Sequence, residues 1–339
     1  MKGVIKWLWI MTVLGIWVEV NGCLEQEKAA LLQLKKNVGD QLPFIFRSVW
    51  LLDYLESWKE DKTSNCCDDW EGVTCGLNSR VVSLSLESPN LGHLSEMHFN
   101  ASVLHPFEEL RELNLTSMGI KSWDEDKGAS KLSSKLKSLE SLNLQYNNFD
   151  ASSLSQLHGF LSLKYLFLDE NNLEGLQLHD IEAISQNLEE LGLRGTEITG
   201  FQNNNGSTKL SSSLKVLDLS QNMLDNNIIS QLSGFQSLHT LNLRANQLRG
   251  VVPLKGSTNL SSSLKVLDLS YTTLDNNIIS QLSGFQSLHT LYLRHSQLSG
   301  NVPINALHQL RNLEVLDLSE NNINGVSNYN GTVTSSPII

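Results

Sequence analysis

The chain has 339 residues, of which 40% are hydrophobic and 18% are charged, and its formal net charge is −11. Such an apolar composition excludes a disordered chain, because its Leu, Ile and Val side chains need a buried core. The negative charge argues against nucleic-acid binding, which usually leaves a basic footprint on a protein.

Residues 1–22 have the features of a secretory signal peptide. Two lysines precede a 12-residue apolar stretch at 7–18, and small residues precede Cys23. A membrane anchor is the competing interpretation, but spanning a bilayer takes about 20 apolar residues. No later segment is long and apolar enough to span one either. We therefore expect a secreted, extracellular chain with no membrane span, unless a longer form at the cell surface carries a membrane helix.

The four cysteines lie close to the start of the mature chain, at Cys23, Cys66, Cys67 and Cys75. An even number of cysteines in a secreted chain predicts two disulfides. Because Cys66 and Cys67 are adjacent, they cannot easily bond to each other. The residues alone leave two pairings open, 23–66 with 67–75 or 23–67 with 66–75. A zinc site is disfavoured because there is no Cys-x-x-Cys pair, and we expect no metal and no cofactor.

Ten copies of the pattern Leu-x-x-Leu-x-Leu-x-x-Asn-x-Leu run from residue 81 to residue 323. A single copy cannot bury its own apolar face, whereas stacked copies can. The pattern therefore predicts an α/β solenoid over 81–325, a right-handed leucine-rich-repeat superhelix with a parallel sheet on its concave face. We number repeats 1 to 10 by the leucine at the fourth position: Leu84, Leu113, Leu142, Leu166, Leu191, Leu217, Leu241, Leu267, Leu291 and Leu316.

The ninth position of the pattern is asparagine in half of the copies. Its amide is expected to satisfy backbone groups in the turn after each strand. The copies with asparagine carry Asn147, Asn171, Asn222, Asn246 and Asn321. We expect looser or differently bonded turns in the others, which carry Pro89, Met118, Thr196, Thr272 and Ser296.

Two repeats are copied almost unchanged. Segments 211–240 and 261–290 agree at 27 of 30 positions, and they differ only at 221–223 and 271–273. The change from Gln221 to Tyr271 lies at the outer end of a strand, where exchange is tolerated. The change from Asn222 to Thr272 falls on the turn position and should reduce stability.

The arrangement Cys-Cys-x-x-Trp-x-Gly-Val-x-Cys at 66–75, followed by leucine-rich repeats, resembles the extracellular part of plant receptor-like proteins and receptor kinases. The resemblance implies an N-terminal cap over 23–80 with helices at about 25–58. It also favours the pairing of Cys23 with Cys66 and of Cys67 with Cys75. Segments 248–253 and 298–303 resemble the plant Leu-x-Gly-x-Ile-Pro element, so a second sheet is expected at repeats 7 and 9. Most other copies lack that proline, and the resemblance does not predict a second sheet there.

The chain departs from that family after repeat 10, where no closing cap can be recognised. We expect 326–339 to be an open C-terminal tail, in a truncated receptor or in a short secreted relative. Such a relative would be similar to the polygalacturonase-inhibiting proteins.

These features predict a non-enzymatic extracellular recognition module. By resemblance it would bind a peptide, protein or glycan ligand in defence or developmental signalling. It would depend on a co-receptor kinase, because the sequence has no kinase signature or phosphate loop. The alternative is a secreted inhibitor of microbial cell-wall-degrading enzymes.

Arginine follows the strand in alternate repeats, at Arg194, Arg244 and Arg294. With strands about 4.8 Å apart, these arginines should form a row with a spacing of about 10 Å. The row has the chemistry to bind carboxylates. The structural alternative is a ladder of ion pairs with aspartates on the neighbouring strands, namely Asp218, Asp268 and Asp317.

Aromatic side chains on the same surface are further candidates for ligand contact, because exposed aromatics form binding hot spots. They are Tyr165 with Phe167, Tyr271, Tyr292 beside Arg294, and His295.

Five sequons predict N-glycosylation: Asn100, Asn114, Asn205, Asn259 and Asn330. Asn114 falls between two core leucines on the predicted concave face. A glycan there would cover part of the binding surface.

Overall fold

The computed structural model describes residues 23–41, 55–61, 64–87, 97–123, 129–184, 186–201, 213–254, 258–327 and 333–334. The predicted signal peptide at 1–22 lies outside these ranges. Within the described ranges, no helix combines the length and apolarity needed to cross a membrane.

An 11-stranded sheet runs through the molecule with its strands in chain order. The first two strands pair antiparallel, and every later neighbour pairs parallel. The strands are Val73–Cys75, Val81–Ser85, Glu112–Asn114, Ser141–Asn143, Tyr165–Phe167, Glu190–Gly192, Val216–Asp218, Thr240–Asn242, Val266–Asp268, Thr290–Tyr292 and Val315–Asp317. This confirms the predicted parallel sheet of the solenoid.

The strands are short because each repeat contributes one leucine flanked by two outward-facing residues. The fourth-position leucines of repeats 1 to 9 are at most 2% exposed, and only Leu316 at the last strand is half-buried. Neighbouring leucines pair in register, for example Leu217 with Leu241. The predicted inward row of leucines is therefore confirmed, and the flanking residues form the solvent-facing surface.

Short helices return the chain behind the sheet and close the core. Phe235 and Phe285 are buried beside these helices. The α-helices after the cap are Ala129–Lys135, Leu178–Ile184, Ile228–Gln231, Thr258–Ser263, Ile278–Gln281 and Ile304–Gln309. The 3-10 helices are Ala101–Leu104, Ala151–Leu157, Leu232–Gly234 and Leu282–Gly284.

Smaller sheets form on the flank, away from the large sheet. The expected pairs at repeats 7 and 9 are present, as Arg249–Gly250 with Thr273–Leu274 and Ser299–Pro303 with Asn322–Ser327. Val333–Thr334 adds an antiparallel strand to the second pair. A further pair joins Met97–Phe99 to Ile120–Trp123, so a second sheet also forms where the sequence did not predict one. There Phe99 and Trp123 pack edge to face at 5.2 Å, without the Pro element.

The ninth-position asparagines satisfy backbone groups of the turns, as predicted, and they also bridge successive repeats. Asn222 donates to the carbonyls of Leu193 and Leu219 at 2.7 and 3.0 Å, and its Oδ1 accepts from the N–H of Thr196. Thr272 reaches only the Leu269 carbonyl of its own repeat, at 2.6 Å. The shorter side chain therefore loses the bond to the preceding repeat.

The N-terminal cap consists of the helix Glu25–Gln41 and the cysteine-rich segment before the first repeat. Disulfides join Cys23 to Cys66 and Cys67 to Cys75, which confirms the favoured pairing. The helix buries Leu31, Leu34 and Val38 at the spacing of one helical face. It ends at Gln41, and the rest of the helical region expected to 58 falls mainly on residues that the structure does not describe.

Candidate functional site

The solvent-facing side of the large sheet carries a central row of residues, each following the buried leucine of its repeat. The row is Ser85, Asn114, Asn143, Phe167, Gly192, Asp218, Asn242, Asp268, Tyr292 and Asp317. None of these side chains is part of the hydrophobic core. Their identities therefore set which chemistry the concave face offers.

Tyr165 and Phe167 occupy one strand near the middle of the sheet, and both lie on its concave side. Tyr165 is 37% exposed, while Phe167 is half-buried. Phe167 pairs in register with Gly192, which has no side chain to stand beside the phenyl ring. The sheet therefore presents an aromatic pair beside a strand position that has no side chain of its own.

Gly192 gives space to the carboxylate of Asp169. A Cβ at position 192 would lie only 2.8 Å from an Asp169 oxygen. That carboxylate accepts from the Arg194 N–H at 2.7 Å and from the Gln145 amide. Burial raises the pKa of Asp169 above its ordinary value, against the effect of these two donors.

Glu190 lies on the strand that follows Phe167, and its pKa is also raised. The largest cause is burial, followed by the negative charges of Asp169 and Asp218. The centre of the concave face is therefore acidic as well as aromatic, which sequence reasoning missed. The sequence signal that could have predicted this acidic centre is the set of acidic residues that neighbouring repeats place on adjoining strands.

The arginine row exists, but the predicted ladder with Asp218, Asp268 and Asp317 was wrong. Each of these aspartates instead accepts the backbone N–H of a serine two residues later, at 2.8–2.9 Å. The arginines turn toward the rim of the sheet. Arg194 donates to Gln221 at 3.0 Å and lies 3.9 Å from Glu170, and Arg294 bonds to Glu320.

A regular ion-pair ladder does occur on the opposite rim, where the chain enters the strands. Lys164 contacts Glu140 at 2.8 Å, and Lys215 contacts Glu189 at 2.7 Å. Arg111 lies 3.9 Å from Glu140. The pKa of Glu140 is lowered chiefly by its hydrogen bond from Lys164. These pairs are solvent-exposed, so their contribution to stability is small.

A column of left-handed backbone lines the rim where the strands end. One residue in each of repeats 2 to 10, just before the ninth position, has a φ between 51° and 62°: Ser117, Tyr146, Glu170, Gly195, Gln221, Ala245, Tyr271, His295 and Glu320. Residues other than glycine rarely adopt this backbone conformation. Here it aligns the side chains of successive repeats, so that residues far apart in sequence meet.

Tyr271, which belongs to that column, contacts two other predicted site residues. The Arg244 guanidinium lies over its ring, 4.3 Å from the centroid, and the His295 ring stacks at 5.1 Å and 24°. Arg244 belongs to the preceding repeat and His295 to the following one. Tyr292 lies on the strand of repeat 9, in register with Asp268 and Asp317.

Glu320 completes this end of the rim. It accepts from Arg294 and lies 3.7 Å from His295. The hydrogen bond from Arg294 is the main reason that the pKa of Glu320 is lowered. Five of the predicted residues, Arg244, Tyr271, Tyr292, Arg294 and His295, therefore lie in adjoining repeats. Tyr165, Phe167 and Arg194 belong to the central acidic and aromatic region.

Two of the five sequons have described side chains. Asn100 and Asn114 each accept the hydroxyl of the sequon residue two positions later, Ser102 and Thr116. Asn114 also donates to Ser85 at 3.1 Å, across the concave face. Asn259 lies in the helix Thr258–Ser263, whereas Asn205 and Asn330 are outside the described residues.

Comparison with known proteins places this geometry in a family. Residues 24–76 match the family described as "Leucine rich repeat N-terminal domain". Residues 135–157, 213–235 and 309–326 match leucine-rich-repeat families. This chain is a leucine-rich-repeat protein similar to the plant receptor-like proteins.

Curated relatives include plant proteins named as receptors. The leucine-rich-repeat chain is 33% identical to "Receptor like protein 21" of Arabidopsis thaliana over 227 residues, 65% of this chain and 22% of the relative. It is 33% identical to "Cuscuta receptor 1" of Solanum lycopersicum over 264 residues, with shares of 67% and 22%. The chain thus spans about a fifth of the length of these relatives.

Solved structures of similar fold include one titled as PEPR1 with AtPEP1. It is 26% identical with a TM-score of 0.54, over 89% of this chain and 42% of that one. A plant ice-binding protein is 23% identical with a TM-score of 0.59, over 89% and 88% of the two chains. At that identity, the second likeness shows only the shared fold.

Proposed function

We propose that this chain is the ligand-recognition part of an extracellular, non-catalytic receptor-like protein. Its concave sheet would bind a peptide or protein segment, and a partner kinase would carry the signal onward. The observation that carries the proposal is the composition of the sheet's outer surface. Aromatic, acidic and basic side chains lie close together on this surface, at positions that do not contribute to the core.

The backbone of the sheet makes this surface rigid. Successive strands pair in register, and the asparagines at the turns bridge one repeat to the next. A rigid surface loses little conformational entropy on binding, which favours affinity. The names of the relatives as receptors, and the PEPR1 structure that contains AtPEP1, support the same function.

A photocrosslinking experiment tests the proposal and does not require the identity of the ligand. A photoreactive phenylalanine analogue replaces Tyr165 on the concave face in one variant and Leu161 behind the sheet in the other. Leu161 is 70% exposed and Tyr165 only 37%, so indiscriminate capture would favour Leu161. Each secreted variant is irradiated in extracellular fluid from plant tissue.

We expect a discrete crosslinked adduct from the Tyr165 variant and none from the Leu161 variant. Equal capture at both positions, or capture only behind the sheet, would remove the concave face as the recognition surface.

A further inference from the structure

The two copies of the duplicated segment differ in a way that concentrates on one surface. Aligned from 211–253 to 261–303, they differ at eight positions, which are 221, 222, 223, 242, 245, 246, 249 and 251 in the first copy. Three of these differences introduce an aromatic ring or a histidine. Tyr271 stands where the first copy has Gln221, Tyr292 where it has Asn242, and His295 where it has Ala245.

All three new residues lie on the concave face or its rim, in repeats 8 and 9. We call the second-copy residues Tyr271, Tyr292 and His295, together with Arg244 of the first copy, the second-copy patch. Arg194, which precedes the first copy, makes an ordinary hydrogen bond to Gln221 of that copy. Arg244, which lies in the first copy, is instead held over the Tyr271 ring of the second copy, and that ring is also stacked on His295.

Arg244 differs from the two other arginines of the row in its partners. Arg194 and Arg294 each have a glutamate within 4 Å. Among the residues that the structure describes, none supplies Arg244 with a carboxylate at that distance. Contact with the ring holds the guanidinium in place through a cation–π interaction. Its N–H donors are thus ordered before any ligand arrives, which suits a charge-assisted bond to a carboxylate.

The neighbouring charges limit which acidic ligand fits. Asp268 and Asp317 flank Tyr292 in the central row. A polyuronate carries a negative charge on each sugar and would be repelled by these carboxylates. Arg244 and His295 also approach the Tyr271 ring from neighbouring repeats, so this ring is not free to stack on a sugar. A peptide that presents a single carboxylate to Arg244 avoids both difficulties.

We propose that the second-copy patch is a specificity surface for a peptide segment with one acidic side chain. That side chain binds Arg244, and an apolar or aromatic neighbour in the peptide packs against Tyr292. This assignment rests on the proposed function of the concave face and names the class of ligand for it.

The duplication supplies variants that the fold tolerates. The triple change Tyr271→Gln, Tyr292→Asn and His295→Ala restores the residues of the first copy, where Gln221 and Ala245 adopt the same left-handed backbone. Arg244→Gln removes the side chain proposed to bind the carboxylate of the peptide. Arg249→Ser is the matched control, because Arg249 lies on the flank strand Arg249–Gly250 and the second copy has Ser299 at the same position. A short random-peptide library displayed on phage is selected on the secreted full chain. The selected peptides are then measured on every variant.

We expect enrichment of peptides that contain Asp or Glu beside an apolar residue. Their affinity should fall about tenfold or more in Arg244→Gln and in the triple variant, and stay unchanged in Arg249→Ser. Selected peptides without acidic residues, or equal affinity for the triple variant, would overturn the proposal. An oligogalacturonide that binds in an Arg244-dependent manner would overturn the assignment to a peptide.

The crosslinking experiment separates this failure from a failure of the proposed function. The photoreactive analogue at position 165 is placed in the otherwise unaltered chain, in the triple variant and in Arg244→Gln. Equal capture by all three would leave the concave face as the binding surface and would remove the second-copy patch as its specificity surface. Loss of concave capture from all three would remove the proposed function itself.

Discussion

Asn222 and Thr272 occupy the same position in the two copies of the duplicated segment, and they bond differently. Asn222 bridges two repeats, with donors to Leu193 and Leu219 and an acceptor for Thr196 and Ile198. Thr272 bonds to one carbonyl of its own repeat. Buried polar groups left without a partner reduce stability. The two copies therefore allow the stabilising effect of asparagine to be compared with that of threonine at the same turn position.

Replacing Asn222 by Ala should reduce the free energy of unfolding by about 3 kcal/mol, because it leaves several buried backbone groups unpaired. Asn222→Thr should cost about half of that, because threonine can keep the bond within its own repeat. The reverse change, Thr272→Asn, should stabilise the chain by about 1 kcal/mol. Urea unfolding of the three variants measures these differences. Equal effects of Ala and Thr at position 222 would contradict this account of the turn.

Asp169 provides a pH-dependent test at the same scale. Its pKa is raised in the folded chain above the ordinary value of 3.8, so ionisation opposes folding. Its contribution to stability is therefore greatest below the unfolded pKa and is lost as pH rises through the folded pKa. Asp169→Asn should be more stable than the unaltered chain at pH 7, and the difference should shrink as pH falls toward 3.8.

Asp317 is the control with the opposite sign. Hydrogen bonds from Ser319 lower the pKa of Asp317, so its ionised form favours folding above the unfolded pKa. Asp317→Asn should therefore be less stable than the unaltered chain at pH 7, with a difference that vanishes in acid. Thermal unfolding as a function of pH measures both. The same sign for the two variants would contradict the assigned environments.

At the scale of elements, the cap is joined to the first repeat by a buried ion pair. The Glu27 carboxylate is fully buried in the cap helix and contacts Arg80 at 2.8 Å. It also accepts the Val81 N–H at 3.2 Å, at the start of a strand. Arg80 in turn donates to the Pro106 carbonyl. The cap helix and the edge of the sheet therefore depend on one another.

Arg80→Met should destabilise the chain by about 3–5 kcal/mol, because it leaves the buried Glu27 carboxylate without its cation. Glu27→Gln should cost less, because the amide oxygen can still accept from Val81. Hydrogen exchange of the helix Glu25–Gln41, together with urea unfolding, separates the two variants. A larger loss in Glu27→Gln would contradict a role of Arg80 as the compensating charge.

The elements also show where the sequence was sufficient and where it was not. The leucine spacing predicted the sheet because a two-residue alternation determines which side chains are buried. The partners of Arg194, Arg244 and Arg294 were not predictable in this way. They depend on the left-handed residue after the strand, whose conformation redirects its side chain along the rim. A repeat pattern specifies the position of that residue but not its backbone angle.

At the scale of the whole molecule, the concave sheet unites residues from repeats that are distant in sequence. Tyr165 and Tyr292 lie on strands separated by more than a hundred residues, yet both face the same side of the sheet. The sequence predicted this shared surface, and the eight candidate residues lie on or beside it; their contact with a ligand stays a prediction. It missed the acidic centre around Asp169 and Glu190, because burial and the absent side chain of Gly192 create that environment.

A glycan introduced on the concave face tests the central claim most directly. Asp268→Asn creates the sequon Asn-Leu-Ser at 268–270 in the central row. Lys131→Asn creates the same sequon on an exposed helix residue away from the sheet. Binding of the partner captured at Tyr165 is measured for both glycosylated chains. We predict that the glycan at 268 abolishes binding and that its enzymatic removal restores it, while the glycan at 131 has no effect. Full binding with the glycan in place at 268 would contradict recognition by the concave sheet.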